Sequence, residues 1–420
     1  MNFDAALAAI ENLDGNGVDL GERVPVSLDF PIEEYRRRHA RLAVLMDEYA
    51  FDAIVFTQEE PVRYFTGYNS VVWAVGRWLP TVFVATRDPR RSLLAGSVFD
   101  GGCAVGTAWV SGTVSYTRVD ELPGLVAGHL ADVGAAGGRI GFEYGPGSFM
   151  AVPQFLAAQL LRLGGDEPRD ASALWHAVRM LKSPLEIERL RRSVGAAVAG
   201  YAAGIAAAKP GMTEKELVSI ISSTMYANGS TAGTRPLFVN CVSGRDRYPL
   251  VDTPASDRPL AAGDIVFVDG GGASDGYVSD ILRLIGIGPL RAEDRRYAEA
   301  AAEATRAMVA ATRPGRLVSQ LLATAEASVA AAGVDDPVGV VGGHGIGLEL
   351  WERPIIQRPD DPNEDVNLRP GMVLCLEPIL SPPHPDGGLA GIFVFEQQVV
   401  VTEAGCEVLS AALPAHLAEA

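Results

Sequence analysis

Residues 266–286 read VFVDGGGASDGYVSDILRLIG. Two carboxylates, Asp269 and Asp280, stand eleven residues apart, each at an apolar, strand-like segment (IVFVD and YVSDILRLIGIG). The Gly-Gly-Gly-Ala-Ser-Asp-Gly run between them is rich in turn formers and can fold the second strand back on the first. Such a hairpin brings two aspartates together inside one sheet. Paired buried carboxylates repel, so either one carries a proton or a cation lies between them.

The second half of the chain supplies more of the same chemistry. Its apolar strands would also bury Glu377, in MVLCLEPIL, and Glu396, in FVFEQQVVVT. His344 sits in the Gly-rich stretch VVGGHGIG. Four carboxylates and one imidazole form a hard, oxygen-rich set suited to two Mn²⁺, Fe²⁺, Co²⁺ or Zn²⁺ ions rather than a cysteine-built structural zinc. A metal pair answers the repulsion in the hairpin. Cys375 alternates onto the same strand face as Glu377 and reads as core. Tyr277 reads as packing, and Arg283 as a charge-balancing neighbour of Asp280.

The flanking elements suggest two related halves. Residues 210–229 and 314–333 both run from Pro-Gly through an amphipathic helix to Gly over the same interval, and each is followed by a strand-like segment. This internal echo predicts two helix–strand halves built round one sheet. The helix before the first half opens at Ser183-Pro184, with Glu186 completing a capping box. A domain boundary is expected just before it, giving domains 1–179 and 180–420. The first domain reads as mixed α/β. A helix opens at Pro31, strands lie at 52–56, 81–86 and 139–145, and the stretch VRYFTGYNSVVWAVGRW is aromatic-rich. The tail after Val408 reads as a peripheral helix.

Composition sets outer bounds. At 420 residues and 48% hydrophobic, the chain can bury two cores. A formal net charge of -17 argues against nucleic acid and anionic membrane surfaces as partners. No apolar run has the length of a membrane span, and no signal peptide is evident, so a cytoplasmic protein is expected. Four scattered cysteines without a CxxC pair fit reduced thiols.

In order and local sequence, Asp269, Asp280, GGHGIG at His344, LEP at Glu377 and Glu396 before VVVTEAG closely resemble the creatinase/prolidase/methionine aminopeptidase family. YFTGY, RMLKSPLEIERLRR, RPLAAGD and RPGMVLCLEP look like its two-domain, prolidase-type branch. The resemblance implies an α/β (α+β) fold: a C-terminal pita-bread domain of two pseudo-symmetric halves behind an N-terminal creatinase-like domain. It implies Asp269, Asp280, His344, Glu377 and Glu396 as ligands to two divalent ions, manganese first, with Fe, Co or Zn as alternatives. Glu377 would also carry protons. The implied reaction is hydrolysis of a C–N bond in an Xaa-Pro dipeptide or a non-peptide amide, by attack of metal-bound hydroxide. A homodimer is implied, with the first domain covering the partner's site.

Three departures stand out. Trp351 occupies the place of a substrate-contacting histidine in HGIGLELWE, residues 243–260 contain no histidine, and Val394 stands where an arginine is usual. His384, in the loop SPPHPDGG, is the candidate substitute proton carrier. Asp252, Trp351, Trp73 and Tyr68 are candidate substrate-binding residues. The indole of Trp351 could hold a cationic group. The alternative function is a lyase acting on a small onium carboxylate, similar to the dimethylsulfoniopropionate lyase on this fold.

Overall fold

A computed structural model of the protein describes residues 1–231, 238–334, 338–382 and 391–420. The chain divides into two compact units, Met1–Arg179 and Met180–Ala420. Among the described residues no helix is long and apolar enough to cross a membrane.

The first unit is built on a six-stranded mixed sheet. Its centre is Ala53–Phe56, antiparallel to Val82–Thr86 and parallel to Ile140–Phe142. All four residues of the central strand are buried, as expected where both faces are covered. The helix expected at Pro31 runs Ile32–Glu48, with Pro31 just outside its first turn. The first residues, patternless in sequence, hold a short helix, Phe3–Ile10, capped by the Asn2 side chain.

The second unit opens with α1 (Pro184–Ala207) and α2 (Glu214–Ala227). Both start in capping boxes, Ser183 with Glu186 and Thr213 with Glu216. Next come β1 (Phe238–Ser243), β2 (Ile265–Gly271) and β3 (Ile281–Gly286). Then α3 (Ala292–Ala311) and α4 (Ser319–Ala331) lead to β4 (Val341–Gly345), β5 (Glu352–Gln357), β6 (Val373–Leu376), β7 (Gln397–Val401) and β8 (Cys406–Val408). Two helices followed by strands therefore occur twice, matching the internal echo.

Two expectations are corrected. The halves do not share one hydrogen-bonded sheet. The first half forms a four-stranded sheet and the second a five-stranded one, in the order β5–β4–β6–β7–β8. The two sheets come together where β3 passes the residue before β7, and there the Glu396 amide donates to the Leu282 carbonyl at 3.3 Å. The tail after Val408 is not helical. Ala418–Glu419 pairs in parallel with β3, and Leu413 joins the buried core. Its alanines and leucines resemble a helix by propensity alone, but strand pairing wins in this context.

The hairpin at 266–286 forms as expected. β2 and β3 pair antiparallel, with Leu282 opposite Asp269. A smaller two-stranded ribbon caps it, turning at Asp275 and Gly276. Both turn residues have positive φ, +49° and +88°, as a two-residue turn of this hand requires. Alternation along β2 and β3 decides the faces. Val266, Val268, Ile281 and Ile285 pack against α1 and α2, while Asp269 and Asp280 face away. Tyr201 of α1 ties both strands from beneath, its hydroxyl shared by the carbonyls of Gly270 and Ile281.

Gly271 ends β2 where the hairpin strands lie tightest. A Cβ there would run into the Ser279 carbonyl oxygen. Gly271→Ala should therefore cost about 1–3 kcal/mol through forced parting of the strands. Gly195, exposed on α1 with open space around it, should gain about 0.5–1 kcal/mol as alanine. Thermal melts of the two variants should move in opposite directions.

Candidate metal centre

Five side chains converge where the two sheets meet. β2 supplies Asp269, the residue before β3 is Asp280, and β4 supplies His344. Glu377 follows β6 directly, and Glu396 directly precedes β7. Three of the five thus sit at strand ends, where the backbone leaves the ladder and the side chain can lean across the seam. Asp280, Glu377 and Glu396 each lie just outside the strand expected to hold them.

The donor atoms are close. Asp269, Asp280 and Glu396 each place a carboxylate oxygen within 4.8 Å of the others. His344 Nε2 lies 3.4 Å from Glu377 Oε1 and 3.7 Å from Asp280 Oδ2. The His344 Nδ1–H donates to the Gly345 carbonyl at 2.9 Å, which leaves Nε2 as a lone pair aimed at the acids. Burial pushes His344 down to about 4, so the ring is neutral near pH 7.

Burial acts on the acids in the opposite direction. It lifts Asp269 to about 7, and Glu377, with Asp269 adding to the repulsion, to about 8. Asp280 and Glu396 are pushed well above the carboxylate range by burial and by their acidic neighbours. Asp280 Oδ1, His344 Nε2 and both Glu396 carboxylate oxygens are buried without a hydrogen-bond partner. Polar atoms in such a setting are normally satisfied. A divalent cation satisfies all of them at once and reverses the pKa logic. The residues present therefore fit the metal that such a set implies.

An outer layer holds these groups in place. The Asp280 amide donates to Gln398 Oε1 at 3.2 Å. Arg283, expected to balance charge, interacts electrostatically with Glu396 and gives its guanidinium N–H groups to backbone carbonyls. It donates to Leu282 and Glu396 at 2.6 Å each, and to Leu413. It thereby fixes the chain from which Glu396 projects. Gln398 and Tyr201 were not foreseen, although alternation from Glu396 puts Gln398 on the same face. The buried pair of Lys182 and Glu352, 2.7 Å apart, had no sequence signal at all across 170 positions. Glu352 also accepts the Glu349 amide, so the pair anchors the 347–351 loop.

Trp351 stacks on His344, with ring centroids 4.6 Å apart and planes inclined by 20°. Half of its surface remains exposed. Asp252 is exposed, and its charge reaches Asp269 and raises it further. His384 lies outside the described residues. Tyr68 and Trp73 belong to the first unit. Tyr68 is buried with its hydroxyl given to Asp100, and Trp73 packs edge-on against it. Tyr68 is thus a core residue of its own unit rather than an exposed binding group. Among the described side chains of that stretch, Val71 and Trp78 stand out, 80% and 84% exposed. Val394 is buried.

Comparison with known proteins gives a consistent picture. Residues 188–403 match metallopeptidase family M24, and residues 38–181 match the creatinase/prolidase N-terminal domain. The Xaa-Pro dipeptidase of Pyrococcus furiosus is 30% identical over 233 residues, 56% of this chain and 64% of its own length. The probable dipeptidase PepE of Mycobacterium tuberculosis is 32% identical over 237 residues, 56% of this chain and 60% of its own. The matched stretch thus spans rather less than two thirds of these relatives. Dipeptidase PepE from Mycobacterium ulcerans superposes with a TM-score of 0.78 at 26% identity, covering 93% of this chain and 99% of that one. An Xaa-Pro dipeptidase from Bacillus anthracis superposes at 0.77 and 23% identity, covering 92% and 100%, a likeness of fold.

Two measurements test the electrostatics. In metal-free protein, acids with raised pKa hold extra protons in the folded state, so stability falls as pH rises toward their folded values. Below pH 6.5 the neutral His344 works the other way, so the clean window runs from 6.5 to about 8. The melting temperature of chelator-treated protein should fall across that window relative to Mn²⁺-loaded protein; a constant gap would remove the carboxylate cluster as the cause. Separately, Lys182→Met takes the cation from beside a buried carboxylate and should cost about 3–5 kcal/mol in urea unfolding. Lys182→Met with Glu352→Leu should recover much of that loss.

Proposed function

The chain belongs to metallopeptidase family M24, and on that premise we propose that it is a metal-dependent hydrolase cutting a C–N bond in a small substrate. Xaa-Pro dipeptides are the first substrate class, and non-peptide amides the second. One observation carries this reading: Asp269, Asp280, His344, Glu377 and Glu396 meet in one seam with buried donor atoms left unsatisfied. We take all five as ligands to two divalent ions, Mn²⁺ first. When bound, such ions lower the pKa of a coordinated water and stabilise negative charge developing on a substrate carbonyl oxygen.

The protein's own groups divide the remaining work. Asp280, His344 and Glu396 are walled off from solvent, whereas Asp269 and Glu377 keep partial exposure. Glu377 therefore stands at the mouth, where it can take a proton from the attacking water and give it to the leaving nitrogen. Trp351, stacked on His344, makes the mouth partly aromatic. His344 itself stays neutral and holds no proton for the reaction at Nε2. We take the working form to be a dimer. The exposed apolar residues Val71, Trp78 and Phe99 of the first unit support a surface meant for a second copy. Free cysteines support a reducing compartment.

A second reading is favoured by the half-exposed indole of Trp351 in the place of a histidine. An indole face beside a metal centre suits an onium group, and the reaction would then be elimination from a small onium carboxylate.

A metal-loaded screen of Xaa-Pro dipeptides, short amides and onium carboxylates, with hydrolysis and elimination products both followed, separates the readings. Turnover of a dipeptide or amide should vanish in Asp280→Ala while circular dichroism stays unchanged. Trp351→His should raise cleavage of Xaa-Pro dipeptides. Full activity after exhaustive chelation would sink both readings.

A further inference from the structure

The floor of the centre contains a sulfur atom that the donor set above does not use. Across β4, β6 and β7, His344, Cys375 and Gln398 are register partners, so their side chains stand in a row with Cys375 in the middle. Glu377 lies two residues past Cys375, and Glu396 two before Gln398, so all five share one face. Cys375 is fully buried, and its Sγ lies within 4.8 Å of ligating atoms of both His344 and Glu396. Those neighbours point to a ligand on their own account. His344 Nε2 and both Glu396 oxygens have no hydrogen-bond partner, on side chains with no exposed surface. The Cys375 thiol is a weak donor aimed at the Glu396 carboxylate, so its sulfur already faces a candidate ligand rather than apolar core. A second donor triad, His344, Cys375 and Glu396, therefore lies beside the triad of Asp269, Asp280 and Glu396, and Glu396 is common to both.

We propose that Cys375 is a sulfur donor to the centre and biases its His344–Glu396 side toward a thiophilic ion, Zn²⁺ or Co²⁺, over Mn²⁺. This rests on the metal-centre reading above. Thiolate sulfur favours zinc and other softer ions, whereas an all-carboxylate set accommodates manganese. On binding, the Cys375 S–H bond breaks, a bond from sulfur to the ion forms, and the proton leaves to solvent past the partly exposed Glu377. No electrons are transferred. The two triads would then differ in taste, oxygen-only toward Asp269 and mixed nitrogen, sulfur and oxygen toward His344.

Zinc K-edge X-ray absorption on the whole zinc-loaded chain tests this. A sulfur shell at about 2.3 Å is expected beside nitrogen and oxygen at about 2.0–2.1 Å. Cys375→Ser and Cys375→Thr should lose the sulfur shell. After dialysis against equal Zn²⁺ and Mn²⁺, their retained zinc-to-manganese ratio should fall at least about tenfold. Zinc bound by nitrogen and oxygen alone in the unmodified protein overturns the proposal and leaves the centre intact, with Cys375 reduced to a neighbour of Glu396. Failure to retain zinc at all overturns the centre as well.

Discussion

Four carboxylates share one desolvated seam, and the rest of the second unit is arranged around that fact. Two like charges about 4 Å apart cost about 4 kcal/mol even at an effective dielectric near 20. Desolvation adds to this for the buried members, which is why burial leads the causes that raise all four acids. Among the described residues, none in the outer layer relieves the repulsion by direct pairing. Arg283 lies closest in spirit, but its donors go to carbonyls. The arrangement makes sense as a set of backbones held rigid so that a cation can be the missing partner. Tyr201, Gln398 and Arg283 each fasten main chain next to a ligand, at Gly270 and Ile281, at Asp280 and at Glu396.

Much of this was legible in the sequence because its signals are local. The hairpin rests on turn residues between two apolar runs, and Asp275–Gly276 supplies the turn where expected. The helix at Ser183 rests on a capping box four residues long. The five candidate ligands were legible as a set: singly each has a bland role, but four acids and an imidazole in apolar or Gly-rich strands, in that order, do not. What failed to show was contact across long sequence separations. Lys182 and Glu352 are unremarkable singly and become a buried pair only in the fold. The tail misled because helix propensity and the chance to complete a sheet edge compete, and only the fold reveals the edge at Ile285 and Gly286. The split into two sheets was hidden for the same reason: the echo predicts two like halves but not how their edges hydrogen-bond.

The centre is asymmetric, and that asymmetry bears on how its chemistry can vary. Asp280, His344 and Glu396 form a closed floor, fixed by strand register and by the Arg283 and Gln398 contacts. Changes there act on the donor set itself rather than on what is held above it. Asp269, Glu377, Trp351 and Asp252 keep exposed surface, and the loop of Trp351 is held by Glu352 and by the Val278 amide on the Gly347 carbonyl. A residue at the mouth can be exchanged at small structural cost, because half of its surface already meets water. Where the family resemblance implies a histidine, this chain sets Trp351, whose broad apolar face stacks on the His344 ring. On the proposed reading, the floor supplies the donor set for the metal, while the residues at the mouth are the ones left to choose the substrate. Specificity therefore turns on the partly exposed groups beside the donor set, Trp351 on His344 and Asp252 acting on Asp269, since the five-residue set itself is common ground for hydrolysis and elimination alike.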